Sequence, residues 1–257
     1  MNSDNNNITL EGSASKIFQC FENSLYSILY HRGIYPADCF RAVHKYGGVL
    51  VPTLVEERSY VDKTLPQIYE WLFEQVLKQL LVVLCSPETG AVIERWQFTV
   101  APYRDTAESS ADDVPDMSHA MFVEQMSRTL RQIGASSCIL PAYDFQPTLT
   151  LMCVAEDYVE PDDDWEDQDR EALEIEGGAY VRLNSIDAAD HCIEPLIHYQ
   201  VHSFDHEEGS DHAPELPAAQ EGNVVEPDEA ESDGDSESAP DNYMETDDEY
   251  ECYCFGY

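Results

Sequence analysis

Three histidines, His198, His202 and His206, stand four residues apart. On a helix that spacing aligns three imidazoles on one face, a set that suits zinc. Their neighbours Ile197, Tyr199, Val201 and Phe204 read instead as a strand, where the same spacing forms no cluster, so no metal site is assigned. Cys252 and Cys254 flank Tyr253 and offer two soft sulfur ligands, but a closed site needs two more and nothing nearby supplies them. Ser109 and Ser110 ahead of Asp112 and Asp113, and Ser232 and Ser236 among Asp233, Asp235 and Glu237, have the form of acidophilic phosphorylation sites. There is no phosphate-cradling glycine loop and no nucleophile elbow. These residues point to a binding protein that works without a cofactor, not to an enzyme.

Charge narrows the partners. The chain of 257 residues carries 52 Asp and Glu against 13 Lys and Arg, a net charge of −39. All 13 basic residues precede His206, and residues 206–257 contain 18 acidic residues and no basic one. With few aliphatic side chains, that tail cannot bury enough surface to offset its ordering entropy, and residues 206–257 read as a disordered acidic tail, as do residues 1–14 at the other end. The body is also acidic, which argues against nucleic-acid binding, since phosphate contacts need clustered Lys and Arg. The longest apolar run, Leu80 to Cys85, falls far short of the roughly 20 residues that span a bilayer, and the polar first seven residues resemble no secretion signal. Eight scattered cysteines suit reduced thiols of an intracellular protein better than a disulfide framework.

The elements that would position any site follow from periodicity. Ile17, Phe18, Phe21, Leu25, Ile28 and Leu29 recur at helical spacing over residues 15–30, with Gly33 placed to cap the C-terminus. A second helix is expected over residues 58–76, with Val61, Leu65, Ile68, Tyr69, Leu72, Phe73 and Val76 inward and Pro66 kinking it or moving its start towards Thr64. Residues 80–100 read as a hairpin around Pro87 and Gly90. In its second strand Val92, Glu94, Trp96 and Phe98 share one face, the aromatics packing and Glu94 pairing with Arg95 or capping. A polar loop (103–116) leads to a third helix (118–134) that places Phe122, Met126, Leu130 and Ile133 on one face. Strands are expected at 137–140 and 148–155. A stretch with 12 acidic residues (156–178) and one apolar anchor, Trp165, precedes strand-like segments at 180–186 and 193–204, the latter interrupted by Pro195. Three helices with interposed and trailing strands make an α+β domain over residues 15–205 with a largely antiparallel sheet.

Particular residues then go further than pattern. Ser24 to Pro36 (Ser-Leu-Tyr-Ser-Ile-Leu-Tyr-His-Arg-Gly-Ile-Tyr-Pro), Lys45-Tyr46-Gly47, Leu81-Val82-Val83, Glu94-Arg95-Trp96-Gln97-Phe98, Leu130-Arg131-Gln132-Ile133 with Ala135-Ser136, and Val181-Arg182-Leu183 stand in one order along the chain. Together they resemble the HORMA-domain family, in its spindle-checkpoint branch. The resemblance implies three helices packed on the sheet and a mobile safety belt at about 156–205 that moves between sheet edges and wraps a partner peptide. It implies that the peptide adds as a strand to Thr148, Leu149, Thr150, Leu151, Met152, Cys153 and Val154, near Trp71 on the central helix, with Tyr199 on the belt. It also implies that Arg131 and Gln132 lie where open and closed copies pair, with Ile139 at a position where the family has an aromatic. The partners implied are the activator subunit of the anaphase-promoting complex, a kinetochore-bound checkpoint scaffold, a second copy of the chain, and an AAA+ remodelling ATPase with its adaptor. The place implied is nucleus, kinetochore and cytoplasm, and the role is to delay anaphase. The alternative within the same family is a HORMA scaffold of DNA repair, accessory to a translesion polymerase, or of the meiotic chromosome axis.

Overall fold

A computed structural model of the chain describes residues 3–44, 46, 48–53, 55–102, 119–169, 171–188, 191–201 and 250–255. They fall in one compact unit; a second unit, residues 203–248, lies outside the described residues. The first apolar stripe forms α1 (Ser3–His31) and buries Ile17, Phe21, Leu25, Ile28 and Leu29. Gly33 ends it at φ +65°, with Gly33 N bonded to the Tyr30 carbonyl and Ile34 N to that of Leu29. A side chain at that φ would be strained, so glycine is the fitting residue there. The helix begins at Ser3, well before the expected Ser15, so the disordered reading of the N-terminus does not hold over residues 3–14.

A small antiparallel pair that sequence reading did not anticipate, β1 (Phe40–Val43) and β2 (Val49–Pro52), precedes α2 (Val55–Phe73). This second helix runs through Pro66 and neither starts near Thr64 nor reaches Val76. Gln75 takes a left-handed conformation (φ 62°), and Val76 N bonds back to the Trp71 carbonyl, which ends the helix early and leaves Phe73 exposed where a buried residue was expected. Trp71 takes the inward place instead.

The hairpin forms as β3 (Leu77–Cys85) and β4 (Val92–Pro102), closed by Gly90 at φ 71°. The third helix is α3 (His119–Ser136), burying Phe122, Met126 and Ile133. The strand expected at 137–140 is absent. Cys138 N bonds to the Ala135 carbonyl, and Ile139 N and Leu140 N to that of Ser136, so these residues prolong the helical turn and are not free to join a ladder.

Then come β5 (Thr148–Glu156), β6 (Trp165–Asp167), β7 (Ala179–Arg182), β8 (Ile186–Ala188), β9 (His191–Tyr199) and β10 (Tyr250–Phe255). The main sheet is antiparallel in the order β6-β10-β5-β3-β4-β9-β7, with β8 also on β9. Leu80, Val82 and Leu84 face one way and join the three helices in the main core; Leu81 and Val83 face the other way and build a smaller cluster on the far side. The disordered reading of residues 206–257 does not hold at their end. Tyr250, Cys252, Tyr253, Cys254 and Phe255 are an aromatic and thiol cluster inside an acidic tail, and they fold as a strand; residues 202–249 lie outside the described residues. No helix among the described residues is long and apolar enough to cross a membrane.

Candidate functional site

An inner strand buries both of its faces, and β5 does so: Leu149, Leu151, Cys153 and Ala155 join the helical core while Met152 and Val154 join the far-side cluster. One of its edges pairs with β3. The other edge would leave a row of unpaired N–H and C=O groups, the template for an added strand. Here β10 occupies it, antiparallel, through five residue pairs from Tyr250↔Glu156 to Cys254↔Met152. On its outer side β10 is flanked in turn by β6, with Phe255 opposite Trp165.

Aromatic side chains hold β10 to the helices. Trp71 of α2 lies 5.1 Å from Trp165 and 5.7 Å from Tyr253 between ring centres; Phe255 meets Trp165 edge-on at 5.3 Å and Tyr60 at 5.6 Å. Tyr253 is 1% exposed and Phe255 6%, so the strand's inward side chains are sealed. Offset and edge-on pairs of this kind each add about 0.5–1.5 kcal/mol beyond area burial. Polar groups fix the register. The Tyr60 hydroxyl accepts from Leu151 N (3.0 Å) and donates to the Phe255 carbonyl (3.3 Å), bridging the two strands from α2. The Tyr253 hydroxyl reaches the Val159 carbonyl at 2.9 Å and the Glu251 carboxylate at 2.6 Å. Burial first, and that carboxylate second, push the Tyr253 phenol up and keep it protonated. With its amide turned to suit both neighbours, Gln67 accepts from Trp71 Nε1 at 3.0 Å and donates to Asp162 at 2.7 Å, tying α2 to the segment after β5.

That segment encloses the strand. After β6 the chain makes a short turn, Glu171–Leu173, and Leu173, 3% exposed, packs on Leu81, Val83, Met152, Val154 and Cys252 on the face away from the helices. Arg95 Nη1 donates to the Leu173 carbonyl at 3.0 Å. The chain then arrives at the opposite edge of the sheet as β7, β8 and β9, and β9 pairs with β4 through nine residues, Glu94↔Tyr199 to Pro102↔His191. Gly178 permits the approach: a Cβ there would sit 2.7 Å from His198 Nε2 and 2.9 Å from the Tyr199 carbonyl. Helix α3 steadies this arm, with Gln125 bonded both ways to Asp187 and Gln132 Oε1 accepting from Asn184 N. So β10 has β5 and β6 on its two sides, α2 on one face and the crossing segment on the other.

The residues expected at the peptide site divide. Met152, Cys153 and Val154 pair with β10, Leu151 N meets Tyr60 beside it and Trp71 packs on Tyr253, whereas Thr148, Leu149 and Thr150 precede the stretch of β5 that β10 covers. Tyr199 does not reach the slot, because β9 lies beyond β3 and β4 at the far edge, where Tyr199 faces Glu94 and Ala179. Arg131 is exposed on α3 and Gln132 half-buried, and Ile139 beyond the helix is 58% exposed. Sequence reasoning missed Tyr60, Leu173, Tyr253 and Phe255. The signal for the last two was present as alternate aromatics in an otherwise polar tail.

Glu94 also finds a different partner from the one expected. Successive strand residues face opposite ways, so Glu94 and Arg95 cannot pair readily; Arg95 points to the crossing segment while Glu94, fully buried, faces the helices. There it meets Arg32 from the end of α1 in a two-point ion pair (Nε–Oε1 2.9 Å, Nη2–Oε2 2.8 Å), with Trp96 Nε1 donating at 2.7 Å and the Tyr143 hydroxyl at 3.0 Å. Arg32 stacks over the Tyr143 ring at 5.0 Å and donates to the Pro141 carbonyl. Trp96 and Phe98 pack in the core as expected.

Comparison with known proteins bears on the family directly. The model of the HORMA domain matches residues 13–140. The chain is 32% identical over 196 residues to the mitotic spindle checkpoint component mad2 of Schizosaccharomyces pombe, covering 76% of this chain and 95% of that protein. It is 30% identical over 195 residues to the human mitotic spindle assembly checkpoint protein MAD2A, covering 76% and 93%. Among solved structures it is similar to a chain in the crystal structure of the mitotic checkpoint complex (TM-score 0.66, 30% identity, 74% of this chain and 99% of that one). C. elegans HTP-2 bound to HTP-3 closure motif 1 shares the fold at 11% identity (TM-score 0.60, 73% and 86%). The chain belongs to the HORMA-domain family, among the MAD2 spindle checkpoint proteins.

Proposed function

We propose that the chain is a spindle assembly checkpoint adaptor that acts by capture, without catalysis, holding a partner segment as an added strand on β5 and delaying anaphase. One observation carries this reading: the outer edge of β5 is a slot for a single strand, walled by Trp71, Trp165 and Tyr60 and crossed by the segment that ends in β9. Main-chain bonds to an open edge supply affinity that does not depend on ligand sequence, the aromatic wall adds selectivity, and a segment closed over the ligand slows its escape. The curated relatives are named as spindle checkpoint proteins, and one structural neighbour sits in the mitotic checkpoint complex.

The partner peptides proposed are segments of the anaphase-promoting complex activator and of a kinetochore-bound scaffold, with an AAA+ ATPase and its adaptor reopening the slot. Arg131, Gln132 and Ile139 are proposed as the surface on which two copies pair. Nucleus, kinetochore and cytoplasm are the proposed places of action. A pulldown with the purified chain from mitotically arrested cells tests the reading. Recovery of the activator by the full chain or by a chain ending at residue 247 supports it; no activator on either overturns it.

A further inference from the structure

We propose that Tyr250–Phe255 is a built-in ligand: the chain's own terminal strand closes the slot in cis, and a partner enters only by displacing it. The inference rests on the reading of the β5 edge as the capture site. It also specifies what a competing strand must look like.

The geometry is that of a ligand and its receptor. The six residues of β10 make two ladders, to β5 and to β6, and are connected to β9 only through residues 202–249. Their side chains alternate by use. Tyr253 and Phe255 face the helices and fill the aromatic recess of Trp71, Trp165 and Tyr60. Cys252 is buried at 3% against Leu173, Met152 and Val154 on the other face. Glu251 is exposed, and Tyr250 lies at the mouth beneath Lys78, whose ammonium is 5.5 Å from its ring. Without β10 the Trp165 and Trp71 rings would lose two of their aromatic neighbours, and one edge of β5 would lose its partners. The slot therefore selects an extended segment with aromatics two residues apart and a small uncharged residue just before the first of them. A bulky or charged group at that place would push into the space between Leu173 and Val154, where Cys252 is sealed. Covalent attachment adds to this match. A tethered ligand competes as an intramolecular one, at an effective concentration that falls as its linker lengthens, so free peptides that bind the slot no better than the strand itself are held off. The acidic character of the tail that carries the strand does not oppose docking, because the docked residues themselves bring one carboxylate, on Glu251, which stays outside.

The probe is a fluorescent synthetic peptide of residues 248–257, titrated by anisotropy into the full chain and into a chain ending at residue 247. The shortened chain should bind it, and the full chain at least about tenfold more weakly. In the full chain, Phe255→Asp should restore binding, and peptides with Ala in place of both aromatics should fail on every protein. Equal binding by the full and shortened chains, or none by either, overturns the proposal. Should the shortened chain not fold, hydrogen exchange on full-length Phe255→Asp decides. Loss of protection along Met152–Glu156 with β4 unchanged upholds the inference, and unchanged protection there overturns it. Concentration-dependent dimers that vanish in Phe255→Asp would place the strand in a second copy and overturn closure in cis. A peptide of the anaphase-promoting complex activator separates this inference from the function it rests on. If the shortened chain takes up that peptide but not its own, self-closure fails while the adaptor reading stands; if it takes up only its own, the reverse holds.

Discussion

The two edges of the main sheet are both covered, but by different means. At the β4 edge, β9 adds nine residue pairs and its Ile193 and Ile197 are fully buried in the main core together with Ile186 and Ala188 of β8. Gln125 and Gln132 of α3, and Ser13 of α1, tie the neighbouring backbone down. At the β5 edge, β10 adds five pairs to β5 and buries three side chains, most of its anchorage coming from two aromatic residues. The first cover is part of the core and shares its cooperativity. The second resembles a bound peptide, and stability need not be uniform across such a boundary.

Breaking the ion pair at the start of the β4 edge should cost most. Glu94→Gln leaves the Arg32 guanidinium buried without its counter-charge, and a loss of about 3–5 kcal/mol in urea unfolding is expected. The double change Arg32→Met with Glu94→Leu should recover most of it, because two buried charges are then removed together. Ile197→Ala should come next, at about 2–5 kcal/mol with one cooperative transition, since it opens a cavity in the shared core. If instead only β9 lost exchange protection while the midpoint held, the belt arm would be a separate unit and the contrast between edges would fall.

Phe255→Ala should shift the global midpoint by less than about 1 kcal/mol, although it removes a buried aromatic of a kind that costs about 3–5 kcal/mol in a core. A shift of full core size would merge the two edges into one. Arg131→Glu with Gln132→Ala should change stability by roughly 0.5–1 kcal/mol, as expected of a surface change with one bond lost to Asn184, while abolishing any dimer seen by sizing chromatography. Dimers that persist would remove these residues from the pairing surface. The smallest effect concerns pH. Burial first, then the Arg95 charge, lowers the His198 pKa, with Glu174 opposing. Because the folded value lies below the ordinary 6.5, the stability that neutral His198 contributes is full above that value and is lost as pH falls from it through the folded pKa. Exchange at β7 and β9 should rise over that interval, and His198→Gln should flatten the rise; an equal rise in the variant would exclude His198 as its source.

Much of the architecture was legible because period reports burial. The stripe of α1, the two faces of the β3–β4 hairpin and the apolar run of β5 each carry their partner's shape in their own spacing. Where legibility failed, the deciding partner was distant. Residues 137–140 have strand-like composition, yet the preceding helix claims their N–H groups. Tyr199 followed the belt in sequence but landed three strands from the slot. The aromatics of β10 were hidden by the charge of the tail around them, since composition averaged over fifty residues cannot register six that dock.

By itself the sequence determined the helices, the hairpin, the acidic character and, through an ordered set of short strings, the family. Alternation along β4 even placed Glu94 on the inward face, because side chains of a strand must take sides. Only the tertiary structure decided that Arg32, 62 residues away, would neutralise it. Only the tertiary structure decided which strand fills the edge of β5. An edge offers the same N–H and C=O groups to any extended segment, so its occupant is chosen by what stands around it: Trp71, Trp165 and Tyr60 on one face, Leu173 on the other. Those residues come from three separate elements, α2, β6 and the turn at Glu171–Leu173, and folding alone assembles them.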